Sequence, residues 1–448
     1  MKSVDLVVIG AGPAGISAAV TGARRGLNVT LLDENPLIGG QVLTQADQNT
    51  PRAAAPDAFR RGKELRADLE HHPVDLKQES IVWGIDGTRV AFSSPEGSTR
   101  IEASALIIAS GAREFVPAFS GWTLPGVMTL GGAQHLIKRY GVLPGKSILL
   151  AGTGPLLWAL AATALEKGGN LLAILDFGQP AKWIPALPQV NALKDRLGLA
   201  WHYLSVIRKH RIRYIFARER LIAHGNAVLR TVSVGNRRFQ PEALCVGFGF
   251  RPNVELLQLA GCEMGFERSL GGWIPLTDES LQTTRPGVFA AGECAGIGGA
   301  EKALLEGELA ALAVFSSLSG SLNSADHGRL AWLRKRIRKE TRFGRVLNEV
   351  CEPPANFISG QDDDLILCRC ESIRAGEVKQ AIRDGISSLD GLKNQVRVGQ
   401  GMCQGRTCGP LLQRLLSEEL DLPQERLAPF HVRPPVKPVT LRQIERQL

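Results

Sequence analysis

The opening of the chain, residues 4–33, constrains the fold more than any other stretch. An apolar run of strand type, Val4–Ile9, leads directly into Gly-Ala-Gly-Pro-Ala-Gly at residues 10–15. A helix of small residues follows, and a second β-branched run ends in Asp33 and Glu34. A strand, a glycine-rich turn, a helix and an acidic strand end, in this order, predict a βαβ unit that binds a dinucleotide.

Each residue of the glycine turn has a physical role. Gly10 makes the tight turn out of the strand, Gly12 lets a pyrophosphate approach the backbone, and Gly15 lets the helix pack closely on the sheet. Pro13 and Ala14 complete the first turn of the helix. The helix N-terminus is therefore expected to present free N–H groups and its positive dipole end to the phosphates.

Residues beyond the turn are expected to contact the same dinucleotide. Asp33, with Glu34 beside it, can accept hydrogen bonds from ribose hydroxyls. A glycine pair that ends at Gly40 and is followed by Gln41 suits a loop that passes close to a ligand. An ordinary glycine turn in a βα unit is the alternative, but here the strand, the helix and the acidic strand end occur together.

Length, charge and hydropathy limit the other possibilities. At 448 residues the chain is expected to contain about three domains. It has no transmembrane-type apolar run, and its start lacks the features of a signal peptide, which favours a cytoplasmic location. The net charge of +9 suits solubility, an acidic partner, a nucleotide or an anionic membrane surface. No nucleic-acid-binding module accompanies it, so no nucleic acid is expected as a partner.

A later stretch, residues 147–176, repeats the opening pattern in modified form. A strand leads to Gly152 and Gly154, and a second strand ends in Asp176. Leu157 occupies the position of the third glycine, and its bulk is expected to push the helix from the sheet or to fill the path of a nicotinamide nucleotide. Two interpretations stay open: the unit has lost its ligand, or it binds another nucleotide through the two glycines and the aspartate.

Two other stretches resemble the flavoprotein superfamily with two dinucleotide-binding domains, which includes glutathione and ferredoxin reductases. One is a buried strand that ends in Ser110 and Gly111, and the other, residues 284–293, ends in Gly292 and Glu293. The resemblance implies FAD in the first domain, with the carboxylate of Glu293 beside the ribityl chain and the pyrophosphate. The superfamily usually has aspartate at this position, and the longer glutamate keeps the charge.

Four of the eight cysteines are bunched near the C-terminus: Cys368, Cys370, Cys403 and Cys408. In a cytosolic protein such a bunch favours a metal site over disulfides, and four thiolates suit zinc or an iron–sulfur cluster. The Cys-x-Cys spacing fits zinc poorly because zinc knuckles space their ligands more widely. The stretch resembles the bacterioferritin-associated-ferredoxin-like domain, which implies a [2Fe-2S] cluster; zinc and free thiols are the alternatives.

These features together predict an α/β chain with two Rossmann-like domains of the glutathione-reductase type, followed by a small, mainly helical [2Fe-2S] domain. The expected divisions are residues 1–118 with 275–325 for the FAD-binding domain, 119–274 for the second dinucleotide-type domain, 326–364 for a basic helix and linker, and 365–448 for the cluster domain and C-terminal tail. The basic helix, Leu330–Val346, is either a solvated face or a docking surface. A second basic stretch, Leu204–Arg220, suggests a strand because β-branched and aromatic residues separate its charges.

Over nearly its whole length the chain resembles the larger FAD subunits of bacterial amine-oxidising dehydrogenases. That group comprises the A subunits of opine oxidases, the matching subunit of hydrogen cyanide synthase, and the α subunits of proline and hydroxyproline dehydrogenases. The resemblance implies an FAD and [2Fe-2S] electron-transfer subunit of a heteromeric complex. A partner flavoprotein subunit of β type would oxidise the amino or imino acid, and electrons would pass to a respiratory or dye acceptor.

Two other functions are the alternatives: a self-sufficient NAD(P)H-dependent FAD and iron–sulfur reductase, and a non-catalytic scaffold subunit. Leu157 and the lack of a Cys-x-x-Cys pair disfavour the reductase, and the intact FAD motifs disfavour the scaffold. A small third subunit, and contact with a quinone or with the inner face of a membrane, are left open. The sequence assigns no catalytic residue.

Overall fold

The computed structural model describes residues 2–43, 56–179, 194–352 and 362–445. The strands are β1 (Lys2–Ile9), β2 (Val29–Leu32), β3 (Val74–Lys77), β4 (Ile81–Asp86), β5 (Arg89–Ser94), β6 (Gly97–Ile108), β7 (Ala112–Glu114), β8 (Val127–Thr129), β9 (Ser147–Gly152), β10 (Asn170–Asp176), β11 (Tyr214–Phe216), β12 (Leu221–His224), β13 (Thr231–Val234), β14 (Arg237–Phe239), β15 (Ala243–Gly247), β16 (Phe250–Pro252), β17 (Met264–Glu267), β18 (Gly272–Pro275), β19 (Val288–Ala290), β20 (Ile366–Cys368) and β21 (Ile373–Arg374). The α-helices are α1 (Pro13–Arg24), α2 (Gly40–Leu43), α3 (Pro56–Glu70), α4 (Leu130–Tyr140), α5 (Pro155–Glu166), α6 (Lys194–Lys209), α7 (Glu255–Leu259), α8 (Ala300–Ser319), α9 (Ser324–Cys351), α10 (Ala375–Arg383), α11 (Leu389–Val396), α12 (Cys408–Glu419) and α13 (Leu441–Glu445).

The first sheet is centred on β1, which pairs in parallel with β2 on one side and with β6 on the other. β3 extends it beyond β2, and β19 pairs in parallel with the end of β6. β5 and β4 continue from β6 in antiparallel pairing. The carboxyl ends of β1, β2, β6 and β19 therefore lie along one edge, which is where open sheets of this type bind ligands.

Small residues allow two helices to pack tightly beside this sheet. A Cβ at Gly307 of α8 would overlap the backbone of Ala14 in α1. The hydroxyl of Ser17 also donates a hydrogen bond of 2.8 Å to the carbonyl oxygen of Leu304. This close approach holds the N-terminal half of α1 in place, and with it the glycine turn that precedes the helix.

The second sheet has the order β11–β10–β9–β15–β8, with every pair parallel. The antiparallel strands β7 and β16 connect it to the first unit, and β12–β14 form a separate antiparallel sheet. The strand prediction for Leu204–Arg220 is wrong at its start, where α6 continues to Lys209. Tyr203 and Ile207, four positions apart, bury one helical face in the core of this unit.

The predicted basic helix lies within α9, which is longer at both ends than expected. A capping box between Asn323 and Asp326 starts the helix. Its apolar stripe, which includes Leu333 and Ile337, is buried in the core of the first unit. Its last residue, Cys351, reaches the second unit. The linker predicted up to residue 364 falls largely on residues 353–361, which lie outside the described ranges.

The C-terminal module consists of the hairpin β20–β21 and helices α10–α12. Its apolar residues, such as Leu367 and Leu411, form one hydrophobic core with those of the second unit, such as Phe177. The indole nitrogen of Trp122 donates a hydrogen bond of 2.8 Å to the carbonyl oxygen of Ile366. The predicted fold class is confirmed. No helix in the described part of the chain has the length and apolar character needed to cross a membrane.

Candidate cofactor sites

The predicted glycine turn lies at the carboxyl edge of the first sheet. Gly10 has a φ of +102°, and a Cβ there would overlap the backbone of Ala109. A Cβ at Gly15 would overlap the carbonyl of Gly10. At Gly12, by contrast, a Cβ would meet only the Cα of Gly40, 3.8 Å away. The space in front of the α1 N-terminus is therefore open at the residue predicted to admit the pyrophosphate.

Backbone from separate segments forms the walls of this space. A Cβ at Gly292 would lie 2.9 Å from that of Ala14, and one at Gly40 would lie 3.0 Å from the Cα of Gly12. Pro13 is in the first turn of α1, where no N–H partner is lost. The structure thus brings these predicted residues together around one helix N-terminus, and side chains are absent where a phosphate needs the backbone. Gln41 lies nearby, exposed, in α2.

Asp33 is buried and fixed at the end of β2. Its Oδ2 accepts a hydrogen bond of 2.5 Å from the backbone N–H of Ala11. Its Oδ1 accepts from the backbone and the side chain of Asn35, at 2.7 and 3.0 Å. Oδ2 keeps a lone pair for a ribose hydroxyl. Glu34 is exposed and forms an ion pair with Lys437 of the C-terminal tail, a partner that the sequence analysis did not predict.

Glu293 lies at the turn after β19, as predicted. Its Oε1 accepts a hydrogen bond of 3.1 Å from the backbone N–H of Gly299, just before α8. Burial raises the pKa of this carboxyl, while the bond to Gly299 acts in the opposite direction. The carboxylate is thus held beside the α8 N-terminus, where the helix dipole favours negative charge.

A buried ion pair supports this turn from inside, and the sequence analysis missed it. Lys302 and Glu306 are both about 97% buried in α8, with 2.7 Å between Nζ and Oε1. Glu306 Oε2 accepts from the backbone N–H of Gly292 at 2.8 Å, and Lys302 Nζ donates to the carbonyl oxygen of Gly296 at 3.0 Å. The signal was a lysine and a glutamate at i, i+4 in a helix rich in alanine and leucine.

Ser110 and Gly111 connect the predicted FAD site to the cluster module. The Ser110 hydroxyl donates to the carbonyl oxygen of Asn253 at 2.7 Å, and the N–H of Asn253 donates to the carbonyl oxygen of Gly111 at 3.0 Å. Arg113 donates from Nη1 to the side-chain oxygen of Asn253 at 2.8 Å. Its Nε donates to the carbonyl oxygen of Arg406 at 3.1 Å, and Arg406 lies between two of the predicted cluster ligands.

The four predicted cluster ligands come together in the C-terminal module. A hydrogen bond with the Cys408 thiol lowers the pKa of Cys368 to about 6 and that of Cys403 to about 4. The same two partners raise the pKa of Cys408. Cys370, which is exposed, interacts with both the backbone and the thiol of Cys403. Each thiol is therefore in contact with another, and two of them favour the thiolate that metal binding requires.

The four predicted cluster ligands come from two parts of the module. In the described ranges, no three histidine, cysteine or acidic side chains surround a point as ligands of one metal ion. A [2Fe-2S] cluster needs only two cysteines on each iron. Here, one cysteine pair comes from the β20–β21 hairpin, and the other comes from the loop before α12 and its first residue. The other four cysteines are buried, and burial raises the pKa of each, as expected for inert core thiols.

The second glycine turn differs from the first because a side chain occupies the space next to its second glycine. Gly152 resembles Gly10, since a Cβ there would overlap the backbone of the neighbouring strand. At Gly154, however, a Cβ would overlap the Sγ of Cys351 at the end of α9. The Thr153 hydroxyl also donates a hydrogen bond to the carbonyl oxygen of Cys351. Burial and the carboxylate of Asp176 raise the pKa of Cys351 to about 12, so the thiol is neutral.

Asp176 and Leu157 both contact other residues of the chain. Asp176 accepts a hydrogen bond from the Tyr214 hydroxyl, and a second one of 2.7 Å from the N–H of Gly178. Leu157 is fully buried with Leu130 of α4 in the core of the second unit. Leu157 therefore does not fill the nucleotide path, and the other alternative, that its bulk pushes the helix from the sheet, stays a prediction. The side chain that packs against the second glycine turn is that of Cys351.

Comparisons with known proteins agree with these two sites. Residues 4–310 match the family described as pyridine nucleotide-disulphide oxidoreductase, and residues 366–418 match the BFD-like [2Fe-2S] binding domain. The A subunit of opine oxidase from Agrobacterium tumefaciens (strain Ach5) is 32% identical over 460 residues, which cover 98% of this chain and 91% of that protein. Hydrogen cyanide synthase subunit HcnB of Pseudomonas protegens is 30% identical over 434 residues, which cover 91% of this chain and 90% of that protein.

A solved structure shares the fold along the whole chain. The crystal structure of L-proline dehydrogenase from P. horikoshii superimposes with a TM-score of 0.73 at 20% identity. The superimposed residues cover 99% of this chain and 79% of the L-proline dehydrogenase chain. The similarity therefore extends through the C-terminal module.

Fold, sites and comparisons define an FAD-dependent oxidoreductase with a [2Fe-2S] domain, and both cofactor predictions are confirmed. The chain belongs to the pyridine nucleotide-disulphide oxidoreductase family and, within it, groups with the opine oxidase A subunits and hydrogen cyanide synthase subunit HcnB. Both relatives are named as subunits of larger enzymes.

Proposed function

We propose that this chain is the FAD and [2Fe-2S] electron-transfer subunit of a heteromeric dehydrogenase or oxidase complex. A partner flavoprotein subunit of β type oxidises an amino or imino acid of the opine, proline, hydroxyproline or glycine type. This chain then passes the electrons to a respiratory or dye acceptor. The names of two relatives that match nearly the whole chain, the A subunit of opine oxidase and hydrogen cyanide synthase subunit HcnB, support this proposal.

The observation that carries the proposal is the contact between Cys351 and Gly154. A nicotinamide nucleotide would bring its pyrophosphate to this turn, where the end of α9 narrows the cavity that Gly154 and Asp176 line. Asp176, the residue expected at the ribose, accepts a hydrogen bond from Tyr214. The flavin of this chain therefore takes electrons from a donor other than NAD(P)H, and a partner subunit that oxidises an amine is such a donor.

The contacts between the two cofactor sites support electron transfer within the chain. Arg406 lies in the loop between Cys403 and Cys408, and its carbonyl oxygen accepts a hydrogen bond from Arg113. Arg113 contacts Asn253, which is bonded to Ser110 and Gly111 at the predicted FAD site. A short chain of hydrogen bonds thus joins the cluster loop to the flavin domain.

The residues of the chain hold the cofactors in place for this role. When bound, FAD supplies two-electron redox chemistry and the cluster carries single electrons. The N–H groups at the start of α1 bind the pyrophosphate, and Asp33 orients the ribose. The Lys302–Glu306 pair fixes the turn that carries Glu293. The four cysteine thiolates ligate the cluster.

The decisive assay compares the isolated chain with the native complex. Dye-linked dehydrogenase activity is measured with a panel of amino and imino acids, first on the purified chain and then on the complex obtained by native purification. We expect turnover only from the complex. Full turnover by the isolated chain, or a native purification that yields only this polypeptide, would contradict the proposal. The composition of the native complex also tests for a small third subunit.

A self-sufficient NAD(P)H-dependent reductase is the second candidate, and it has less support. It requires a nucleotide in the cavity lined by Gly154, Asp176 and Tyr214, where Cys351 lies against the glycine turn. Fast reduction of the flavin by NADH or NADPH would favour it over the subunit role.

A further inference from the structure

A segment near the C-terminus, residues 430–437 (the strap), lies between the two cofactor sites. At its start, Phe430 packs on the cluster loop. A Cβ at Gly405 would come within 2.5 Å of the Phe430 ring, and one at Gly409 would lie 3.4 Å from it. Phe430 is itself buried. Gly405 of the cluster loop and Gly409 at the start of α12 therefore leave room for the Phe430 ring.

The cluster loop also holds the strap by its backbone. Gln404 donates from Nε2 to the carbonyl oxygen of Pro435 at 3.2 Å. Arg406 donates from Nη2 to the carbonyl oxygen of Val436 at 2.6 Å. Both donors lie between two of the cluster ligands in sequence. The cluster loop therefore holds the strap at two of its backbone carbonyls.

The far end of the strap lies at the FAD site. The N–H of Val436 donates to the carbonyl oxygen of Trp83 in β4, at 2.9 Å. The next residue, Lys437, forms its ion pair with Glu34, and the carboxylate of Asp33 also acts on its ammonium. Asp33 and Glu34 directly follow β2, where the fingerprint places the adenosine ribose. Lys437 is thus a cation beside two carboxylates, at the place where the fingerprint puts the adenosine ribose.

We propose that the strap closes over the adenosine half of FAD and makes the affinity for FAD depend on the cluster. Lys437 is a positioning residue, because its ammonium offsets two carboxylates that would otherwise repel the pyrophosphate. The cluster orders the loop that holds the strap, and the strap holds Lys437. Coupling of this kind is reciprocal, so FAD also strengthens retention of the cluster. The inference concerns cofactor retention and is independent of the proposed partner and substrate.

The test is a cycle of four full-length proteins: wild type, Lys437→Gln, Cys370→Ser and the double variant. Cys370 is the exposed cluster ligand, so its replacement removes the cluster with little change to the core. The dissociation constant of FAD is measured by fluorescence titration of flavin-free protein. We expect each single variant to bind FAD about fivefold more weakly, near the upper range for a partly exposed ion pair. The double variant should be no weaker than either single one.

Each outcome of the cycle decides a part of the inference. Unchanged FAD affinity in Lys437→Gln would overturn the role of the strap. Losses that multiply in the double variant would overturn the coupling, since they would show two independent effects. Lys437→Arg keeps the cation and should bind FAD like the wild type. Lys209→Gln removes the same charge from an exposed site at the end of α6 and should leave the affinity unchanged.

Discussion

The side chain of Cys351 lies against Gly154 of the second βαβ unit. The equivalent space next to Gly12 in the first βαβ unit is open. The two glycine turns are otherwise alike, because Gly10 and Gly152 both have positive φ and both pack on the backbone of a neighbouring segment. A residue almost 200 positions away therefore distinguishes the two units. The following predictions test this relationship and the sites around it.

The first prediction concerns the open glycine. Gly12→Val should yield protein without flavin, because the new side chain takes the space needed by the pyrophosphate. The measurement is the flavin absorbance of the purified protein. Gly328→Val, which adds the same side chain in open space on α9, should keep its flavin. Full flavin absorbance in Gly12→Val would show that the cofactor binds elsewhere.

The second prediction concerns the cluster ligands. Serine at Cys368, Cys370, Cys403 or Cys408 should remove the cluster, because a hydroxyl replaces a thiolate ligand. Iron and zinc are measured after anaerobic purification. Serine at the core thiol Cys245 is the matched control and should leave the iron content unchanged. Stoichiometric zinc without iron in the wild type would refute the assignment.

The third prediction concerns reduction of the flavin by NAD(P)H and tests whether Leu157 obstructs the nucleotide. NADH and NADPH should reduce the flavin slowly or not at all, as followed by stopped-flow absorbance. Leu157→Ala should not speed the reaction, because Leu157 is in the core. It should instead lower the free energy of unfolding by about 2–5 kcal/mol. Rapid bleaching of the flavin in this variant would mean that Leu157 does obstruct a nucleotide.

The fourth prediction concerns the buried pair beneath the FAD site. Lys302→Met leaves Glu306 without its cation and should cost about 3–5 kcal/mol of stability at neutral pH. Burial already raises the pKa of Glu306, and Lys302 opposes this. The variant should therefore raise that pKa further.

The sign of the pH dependence follows from this shift. A carboxyl with a raised pKa binds its proton more readily in the folded state, so protonation stabilises the fold. The deficit of Lys302→Met relative to wild type should shrink as the pH falls from neutral to about 5. Denaturant titrations at both pH values measure it. A deficit that does not change with pH would show that Glu306 is not the uncompensated group.

The fifth prediction refines the docking surface on α9 and rests on the proposed partner. Lys335, Arg338 and Arg342 are exposed, whereas Arg334 donates to the carbonyl oxygen of Glu279 within the chain. Glutamate at the three exposed positions should weaken assembly with the partner subunit by about tenfold at low salt, and less as salt screens the charges. The dissociation constant is measured at two salt concentrations. The same reversal at Lys209 should have no effect.

Local motifs were predictable from the sequence because stereochemistry restricts them within a few residues. Gly10 needs a positive φ and Gly15 has no room for a Cβ, so glycine is required at both. The four cysteines and the acidic strand end were also visible in the sequence. The start of the stretch at Leu204 was predicted as a strand but is helical. The aromatic and β-branched residues that favour strands pack one face of a helix here.

Contacts between distant segments were not predictable. Lys437 and Glu34 are 403 residues apart, and Thr153 and Cys351 are 198 apart. No pattern near either partner marks such a contact, because it depends on how complete units are packed against each other. The residues missed at the candidate sites are mainly of this kind.

The two anchors of α9 have a consequence for how the molecule melts. Near the start of α9, Arg25 of the first unit forms an ion pair with Asp326. At the end of α9, the carbonyl oxygen of Cys351 accepts a hydrogen bond from the hydroxyl of Thr153 in the second unit. Neither unit can swing about a hinge or unravel alone without breaking one anchor. Calorimetry should therefore record the two Rossmann units as a single cooperative transition rather than as two steps.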